Sequence, residues 1–195
     1  MSHPGILGLL LAAGSASRFG SDKLRHRLPH GVPIAVQAAR HLLGQFPRVI
    51  AVVRPGAEER ARELAAEGCE VVVCPEARDG MGASLACAVR AAGEAQGYVV
   101  ALADMPFVRP SSIAAVREAL EKGALLAAPY FRRRRGHPVG ISGRFREDLL
   151  ALGGDEGARS LLERHASLLV KVPCGDPGVI RDIDAPGDLA PPLAV

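Results

Sequence analysis

The chain alternates short apolar runs with amphipathic stretches of helical length, and this order strongly limits its fold. The apolar runs are rich in Val, Ile and Leu and read "GILGLLLA", "RVIAVV", "CEVVVC", "YVVALAD" and "ALLAAPY". The helical patterns between and after them are "IAVQAARHLLGQF", "AEERARELAAEG", "GASLACAVRAAGEA" and "SSIAAVREALEKG". Such alternation is typical of a parallel sheet covered by helices on both faces. It predicts one α/β domain over 1–195 with a doubly wound, mostly parallel sheet that binds ligands at the carboxyl ends of its strands.

The pattern changes after Tyr130. A basic run, "RRRR", leads into "GHPVGI", two helical patches at 145–152 and 156–165, and two extended segments, "SLLVKVP" and "VIRDID". We expect residues 1–130 to carry a first ligand on the sheet. Residues 131–195 are expected to cap the sheet and to supply the pocket of a second substrate.

Composition narrows the classes of partner. The net charge is +3, and aromatic residues make up 4% of the 195 residues, with no Trp. A mild positive charge accommodates anionic ligands, but so few aromatic side chains offer little for stacking nucleic-acid bases. We therefore expect small anionic ligands and no nucleic-acid partner.

The sequence also bears on location. The four cysteines form no C-x-x-C pair, and no histidines accompany them at zinc-ligand spacing, which is typical of reduced thiols in a cytoplasmic protein. The run "GILGLLLAAGSAS" resembles the apolar part of a signal peptide, but no Lys or Arg precedes it. We interpret it as a buried first strand, and we expect no membrane-spanning segment.

The stretch "LAAGSASRFGSDK" at 11–23 contains the ingredients of a phosphate-binding loop. A glycine-rich turn after a strand exposes backbone N–H groups, Arg18 can bind phosphate with two hydrogen bonds, and Lys23 adds a mobile positive charge. The spacing fits neither the P-loop nor the dinucleotide-binding G-x-G-x-x-G fingerprint. These mismatches disfavour an NAD(P)-binding protein.

The same stretch resembles the L-A-[AG]-G-x-S-x-R-[FM]-G-x-x-K signature of nucleotidyltransferases with a glycosyltransferase-A-like fold. Three further segments resemble that family in the same order: "GMGASLACAV" (80–89), "ALADMP" (101–106) and "RDIDAPGDL" (181–189). Within the family, "LAAG", "GMGASL" and "RRGHPVGISGRFREDLLALGGDEGARSLL" are similar to molybdenum-cofactor cytidylyltransferases. The chain departs from their usual pattern at Gly82, where a serine is more common.

The resemblance implies that 1–130 is a nucleotide-binding half and 131–195 an acceptor-side half. The implied reaction is transfer of CMP from CTP to a molybdopterin-type cofactor, with pyrophosphate released and Mg²⁺ as the metal, for which Mn²⁺ could substitute. A molybdoenzyme or its maturation factor would then receive the product. The implied catalytic residues are Arg18, Lys23 and Asp104, and the metal ligands are Asp104 and Asp184. The implied nucleotide-binding residues are Ala12, Ala13, Gly14, Arg18, Lys23, Gly80, Ser84 and Asp104. The implied acceptor contacts are Arg135, His137 and Asp182.

Other hypotheses stay open at this point. GTP could replace CTP as donor, and a sugar phosphate could replace the cofactor as acceptor. A non-catalytic accessory protein that binds nucleotide or cofactor and delivers it is a different class, although pure binding would not need the two carboxylates Asp104 and Asp184. In an alternating strand, Asp182 and Asp184 would face the same side and could share an ion.

Overall fold

A computed structural model describes residues 5–14 and 22–190. Within these residues the chain forms eight strands and six α-helices. The strands are β1 (Ile6–Leu11), β2 (Val49–Val53), β3 (Glu70–Val73), β4 (Gly97–Leu102), β5 (Leu126–Phe131), β6 (Arg134–Arg135), β7 (Val139–Ser142) and β8 (Leu169–Pro173). The helices are α1 (Ile34–Leu43), α2 (Glu58–Ala66), α3 (Met81–Ala92), α4 (Pro110–Glu121), α5 (Arg146–Leu150) and α6 (Arg159–Arg164).

The strands form one mixed sheet in the order β3-β2-β1-β4-β7-β5-β6, and β8 pairs with β5. The pairs β1–β2, β1–β4, β2–β3 and β5–β8 are parallel. Strand β7 is antiparallel to both β4 and β5, so β5 runs parallel to β4 and their carboxyl ends share one edge. The predicted α/β fold with a mostly parallel, doubly wound sheet is confirmed.

The central strands of the sheet are buried on both faces. Leu10 packs in a core cluster with Leu42 of α1 and Val116 of α4, whereas its neighbour Leu9 packs in a second cluster with Leu85 of α3. Successive side chains of a strand point to opposite faces, so continuously apolar strands contribute to two cores at once. This is why the strands lack the polar–apolar alternation of a half-exposed sheet.

The N-terminal apolar run forms the centre of the sheet. All six residues of β1 are buried, and the strand pairs with β2 on one side and β4 on the other. The prediction of a buried first strand is confirmed. In the described part of the chain, no helix combines the length and apolarity needed to cross a membrane.

The segment "VIRDID" differs from the prediction, because it is not a strand. Pro177–Ile180 form a 3-10 helix, and the chain then continues without regular structure. The buried carboxylate of Asp176 begins that turn by accepting a hydrogen bond from the Gly178 amide at 2.9 Å, which diverts the backbone from sheet pairing. The predicted helices at 145–152 and 156–165 are present in shortened form, as α5 and α6.

Candidate active site

A cavity of about 520 Å³ opens where the carboxyl ends of the central strands meet. This is the expected place for a ligand in an open α/β sheet, and the size suits a nucleotide-sized molecule. Gly14 follows β1, Asp104 follows β4, and Gly80 directly precedes α3. The predicted site residues that line the cavity are Ala13, Gly14, Lys23, Gly80, Ser84 and Asp104.

Lys23 forms the charged centre of this site. Its ammonium nitrogen lies 3.1 Å from Asp104 Oδ2 and 3.2 Å from Asp184 Oδ1, so it bridges two carboxylates from distant parts of the chain. Burial acts to lower the pKa of Lys23, but the attraction and hydrogen bonds of the two carboxylates outweigh it and raise that pKa. Lys23 is therefore positively charged and held in place.

Asp104 is the more buried of the two carboxylates. Burial raises the pKa of Asp104 above its usual value, although the charge of Lys23 opposes the shift and that of Asp182 adds to it. Burial disfavours the ionised form of a carboxylate, and a nearby positive charge stabilises that form. The surroundings of Asp104 therefore favour a bound cation.

Asp184 does not lie on a strand. Hydrogen bonds of the backbone around it hold it at the site instead. The Ile183 amide donates to the Asp104 carbonyl at 2.9 Å, and the Ile183 side chain is fully buried between exposed Asp182 and Asp184. The carboxylate of Asp188 then accepts hydrogen bonds from the amides of Asp184 and Ala185, at 3.1 and 2.9 Å. These contacts also lower the pKa of Asp188. The turn after Ile183 thereby holds Asp184 beside Lys23.

Neither carboxylate serves as a helix cap. The N-cap of α4 is Arg109, and that of the 3-10 helix Pro186–Leu189 is Ala185. Two oxygen ligands converging on one cation suit a hard divalent metal such as Mg²⁺. Within residues 5–14 and 22–190, no three His, Cys, Asp or Glu side chains cluster as a complete metal site. The pair fits the usual Mg²⁺ arrangement, in which substrate phosphates and water supply the other ligands.

The start of α3 forms the opposite wall of the cavity. Gly80 has φ +119, and the Ser84 hydroxyl donates to the Gly80 carbonyl at 3.3 Å. A Cβ atom at Gly82 would lie 2.6 Å from the Gly153 carbonyl oxygen. The departure from serine at 82 is therefore explained, because the backbone of the 153–157 loop occupies the space that a side chain would need.

Three charged cavity residues were missed by the sequence analysis: Arg54, Arg78 and Asp155. Arg54 directly follows β2, so the rule that placed Asp104 at a strand end could have identified it. Its Nε atom is buried and has no hydrogen-bond partner in the part of the chain described. Asp155 comes from the acceptor-side half, and only the close packing of its loop on α3 brings it to the cavity.

Of the remaining predicted residues, Ala12, Arg135 and Asp182 do not line the cavity. Arg18 lies outside the described residues. Ala12 is buried behind the cavity, and its amide donates to the Val52 carbonyl at 2.9 Å. Arg135 is exposed on β6. Asp182 is exposed next to the charged centre, where it acts on Asp104 through its charge.

His137 points into the interior rather than into the cavity at the strand ends. Together with His41, Met105 and Pro138, it lines a separate small cavity. The Nδ1 atoms of both histidines are buried without a hydrogen-bond partner among the residues described. Burial, aided by the charge of Arg135, lowers the pKa of His137 to about 4, and burial also lowers the pKa of His41.

Acid is therefore expected to destabilise the fold through His137. The folded protein keeps this imidazole neutral down to about pH 4, whereas the unfolded chain binds a proton below about pH 6.5. The free energy of unfolding should fall as the pH drops through this window, with a contribution from His137 of up to about 3 kcal/mol. Urea unfolding of the wild type and His137→Gln at pH 7.5 and pH 4.5 measures that contribution.

Both proteins retain His41, so its contribution to the loss of stability cancels when the two losses are compared. The variant should be less stable at pH 7.5 but lose less stability on acidification. Equal losses in the two proteins would show that His137 does not titrate in this window.

Known proteins share this architecture and sequence pattern. Residues 8–168 match the family model described as a MobA-like NTP transferase domain. The chain is 28% identical over 190 residues to nicotine blue oxidoreductase from Paenarthrobacter nicotinovorans, covering 93% of each chain. It is also 28% identical over 197 residues to the purine catabolism protein PucB of Bacillus subtilis, covering 95% of each.

Solved structures agree with these sequence matches. Rv0371c from Mycobacterium tuberculosis superposes with a TM-score of 0.82 at 25% identity, covering 96% of both chains. Its complex with manganese superposes at 0.77 and 22% identity, covering 94% of this chain and 95% of that one. The family match spans most of the chain, and described residues of the segments 11–23, 80–89 and 101–106 line one cavity. The protein therefore belongs to the MobA-like NTP transferase family and is a nucleotidyltransferase.

Proposed function

We propose that this protein transfers CMP from CTP to a molybdopterin-type cofactor and releases pyrophosphate. The observation that carries the proposal is the bridge from Lys23 to Asp104 and Asp184 beside a nucleotide-sized cavity. Two carboxylates and a lysine at a strand end are the groups needed to hold and neutralise a metal-bound triphosphate. A protein that only stored a ligand would not need them.

The residues support attack on the α-phosphorus of the nucleotide. A phosphate oxygen of the acceptor forms the new P–O bond, and the bond from the α-phosphorus to the oxygen of the β-phosphate breaks, releasing pyrophosphate. The nucleophile is already ionised at neutral pH, so catalysis consists mainly of positioning and charge neutralisation. Lys23, Arg18 and the backbone of Ala12, Ala13 and Gly14 would bind the triphosphate side.

Asp104 and Asp184 would hold Mg²⁺, with Mn²⁺ as a substitute, and the bound ion would supply positive charge to the phosphate oxygens. Manganese is present in the complex of the structural relative Rv0371c. In this protein the carboxylates already bind the ammonium group of Lys23. This ion pair supports the proposal that the two carboxylates bind a cation.

Three charged residues of the cavity support a base that carries both hydrogen-bond donors and acceptors. Arg54 and Arg78 can donate to ring nitrogen and carbonyl acceptors, and Asp155 can accept from an exocyclic amino group. Cytosine presents both kinds of group. The "LAAG" form of the loop, with Ala13, resembles the pyrimidine-using members of the family and favours CTP over GTP.

The acceptor would approach from the side of the β5–β6 hairpin. Since β5 runs parallel to β4, its carboxyl end and the exposed arginines at 132–135 lie at the same sheet edge as Asp104. This placement would attract a phosphorylated pterin by charge. We propose Arg135 and Asp182 as residues on the acceptor side and a molybdoenzyme as the eventual recipient of the product.

A donor panel tests the proposal. The purified protein is incubated with Mg²⁺, molybdopterin-type cofactor with or without molybdenum, and CTP, GTP, UTP or ATP, and pyrophosphate and product mass are measured. We expect a cytosine dinucleotide and at least about tenfold faster release with CTP than with the others. Asp155→Asn should weaken that preference, whereas its exposed neighbour Glu156→Gln should not.

Other outcomes select among the alternatives. Turnover with GTP alone would refute the cytidylyl assignment, and turnover only with sugar phosphates would refute the acceptor. Tight nucleotide or cofactor binding without pyrophosphate would indicate a delivery protein. NADH or NADPH oxidation without pyrophosphate release would instead place the chain with its relative named an oxidoreductase.

A further inference from the structure

Arg60 is a fully buried arginine on an otherwise exposed helix. Of the residues of α2, only Arg60 and Leu64 are buried, and Arg60 is 0% exposed. Arginine is almost never fully buried unless its charge is paired, because removing a guanidinium from water is costly. The contacts of Arg60 therefore indicate why the chain places it there.

The guanidinium group joins the two sides of the signature segment. One nitrogen donates to the carbonyl of Ala12, at the carboxyl end of β1. Nε donates to Asp22 Oδ2 at 3.1 Å, and Nη2 donates to the same oxygen. Ala12 precedes residues 15–21 and Asp22 follows them, so one side chain holds together the two ends of this segment.

Asp22 passes this restraint on to Lys23. Its other carboxylate oxygen, Oδ1, accepts the Leu24 amide at 3.2 Å and caps the short 3-10 helix Lys23–Arg25. The position of that helix determines where the Lys23 ammonium reaches Asp104 and Asp184. A shift of Asp22 would therefore move the charged centre of the site.

A second set of ion pairs joins the same two elements. Arg25, at the end of the 3-10 helix, pairs with Glu59 of α2 and, at 3.4 Å, with Glu63 of α2. Thus α2 contributes a cation at Arg60 and anions at Glu59 and Glu63, and the 3-10 helix contributes the opposite charges. Helix α2 therefore holds both ends of the 3-10 helix, one through Asp22 and the other through Arg25.

We propose that Arg60 is a positioning residue, which sets Lys23 for nucleotidyl transfer by tying Asp22 to the end of β1. The inference rests on the proposed function for its kinetic readout. The planar guanidinium group of Arg60 donates from three nitrogens to two acceptors that lie in different directions. A lysine ammonium cannot reproduce this arrangement, so lysine cannot replace Arg60. Arg60 itself does not line the cavity and touches no substrate.

The kinetic test compares Arg60→Lys with Arg62→Lys, an exposed arginine on the same helix. Arg60→Lys should lower kcat for pyrophosphate release by about 10- to 100-fold and change KM for CTP by less than about threefold, because Lys23 acts on charge that develops in the transition state. Arg62→Lys should match the wild type. An unchanged kcat in Arg60→Lys would overturn the proposal.

The double variant with Lys23→Met separates positioning from general damage. If Arg60 acts through Lys23, Arg60→Lys should lower kcat by less than about twofold in the Lys23→Met background. A loss that multiplies with that of Lys23→Met would show that Arg60 has only a structural role. Should Arg60→Lys fail to fold, Asp22→Asn provides the second variant with the same expected pattern.

Hydrogen exchange keeps the inference testable if the proposed function fails. Even when no donor is turned over, Arg60→Lys should speed amide exchange at residues 22–25 by at least about tenfold, with exchange in β4 unchanged. Arg62→Lys should leave both segments as in the wild type. Unchanged exchange at 22–25 would refute the proposal, whereas absent turnover with faster exchange would refute only the proposed function.

Discussion

Replacing Asp104 by asparagine is expected to slow pyrophosphate release by about a thousandfold, equivalent to about 4 kcal/mol of transition-state stabilisation. The carboxylate lies 3.1 Å from Lys23, and its surroundings favour a bound cation. Asparagine keeps the size of the side chain but loses its charge. It also leaves intact the backbone hydrogen bond from Ile183 to the Asp104 carbonyl.

Two measurements check this prediction: the rate of pyrophosphate release at saturating donor and acceptor, and Mn²⁺ affinity measured without nucleotide. Both should fall in Asp104→Asn. Glu147→Gln is the control, because Glu147 is a highly exposed carboxylate on α5 that pairs with its neighbour Arg146 and does not line the cavity. It should reduce the rate by no more than about threefold. If Asp104→Asn released pyrophosphate at the wild-type rate, Asp104 would not be a metal ligand.

Replacing Lys23 by methionine should change turnover and metal affinity in opposite directions. Turnover should fall by about 100- to 1000-fold, because the positive charge proposed to neutralise the phosphates is lost. The affinity for Mn²⁺ without nucleotide should instead rise by about 3- to 10-fold. In the free protein the ammonium group occupies both carboxylates, and a divalent cation has to displace it.

Manganese titration followed by pyrophosphate assays on the same preparations measures both effects. Lys122→Met is the control, because Lys122 is a highly exposed lysine that pairs with Glu118 four residues before it. It should leave both quantities unchanged. Weaker Mn²⁺ binding in Lys23→Met would show that the lysine supports the metal site instead of competing for it.

Local sequence patterns predicted most of the sheet and the helices on its faces. Residues such as Leu9 and Leu10 must bury neighbouring side chains on opposite faces, so continuous apolar runs leave few alternatives to a covered, mostly parallel sheet. The first half was predicted well for this reason. In the second half, "VIRDID" has the alternation of a strand but forms a 3-10 helix and an irregular segment. There the Asp176 cap outweighs strand propensity.

The candidate site also contains residues that the sequence predicted and residues that it did not. The strand-end rule and the signature segments predicted Lys23 and Asp104 as site residues, and they lie in contact. Arg54 follows β2 in the same way, but it was not among the predicted residues. His137 was predicted as an acceptor contact from the resemblance, with a structural role before Pro138 as the alternative, and it lines an interior cavity. Sequence shows that a histidine is present, but only packing decides which cavity its ring enters.

The sequence by itself determined the α/β class, the order of the first five strands and four helices, and the strand-end location of the site, because these depend on periodicities of a few residues. Only the tertiary structure decided which distant charges meet. Asp184 reaches Lys23 because the Ile183 amide donates to the Asp104 carbonyl and the Asp188 carboxylate holds the turn that follows. Asp155 reaches the cavity because Gly82 lets a loop pack against α3. Arg60 joins Ala12 to Asp22 from another helix. Such contacts depend on how whole elements pack, and no local pattern encodes them.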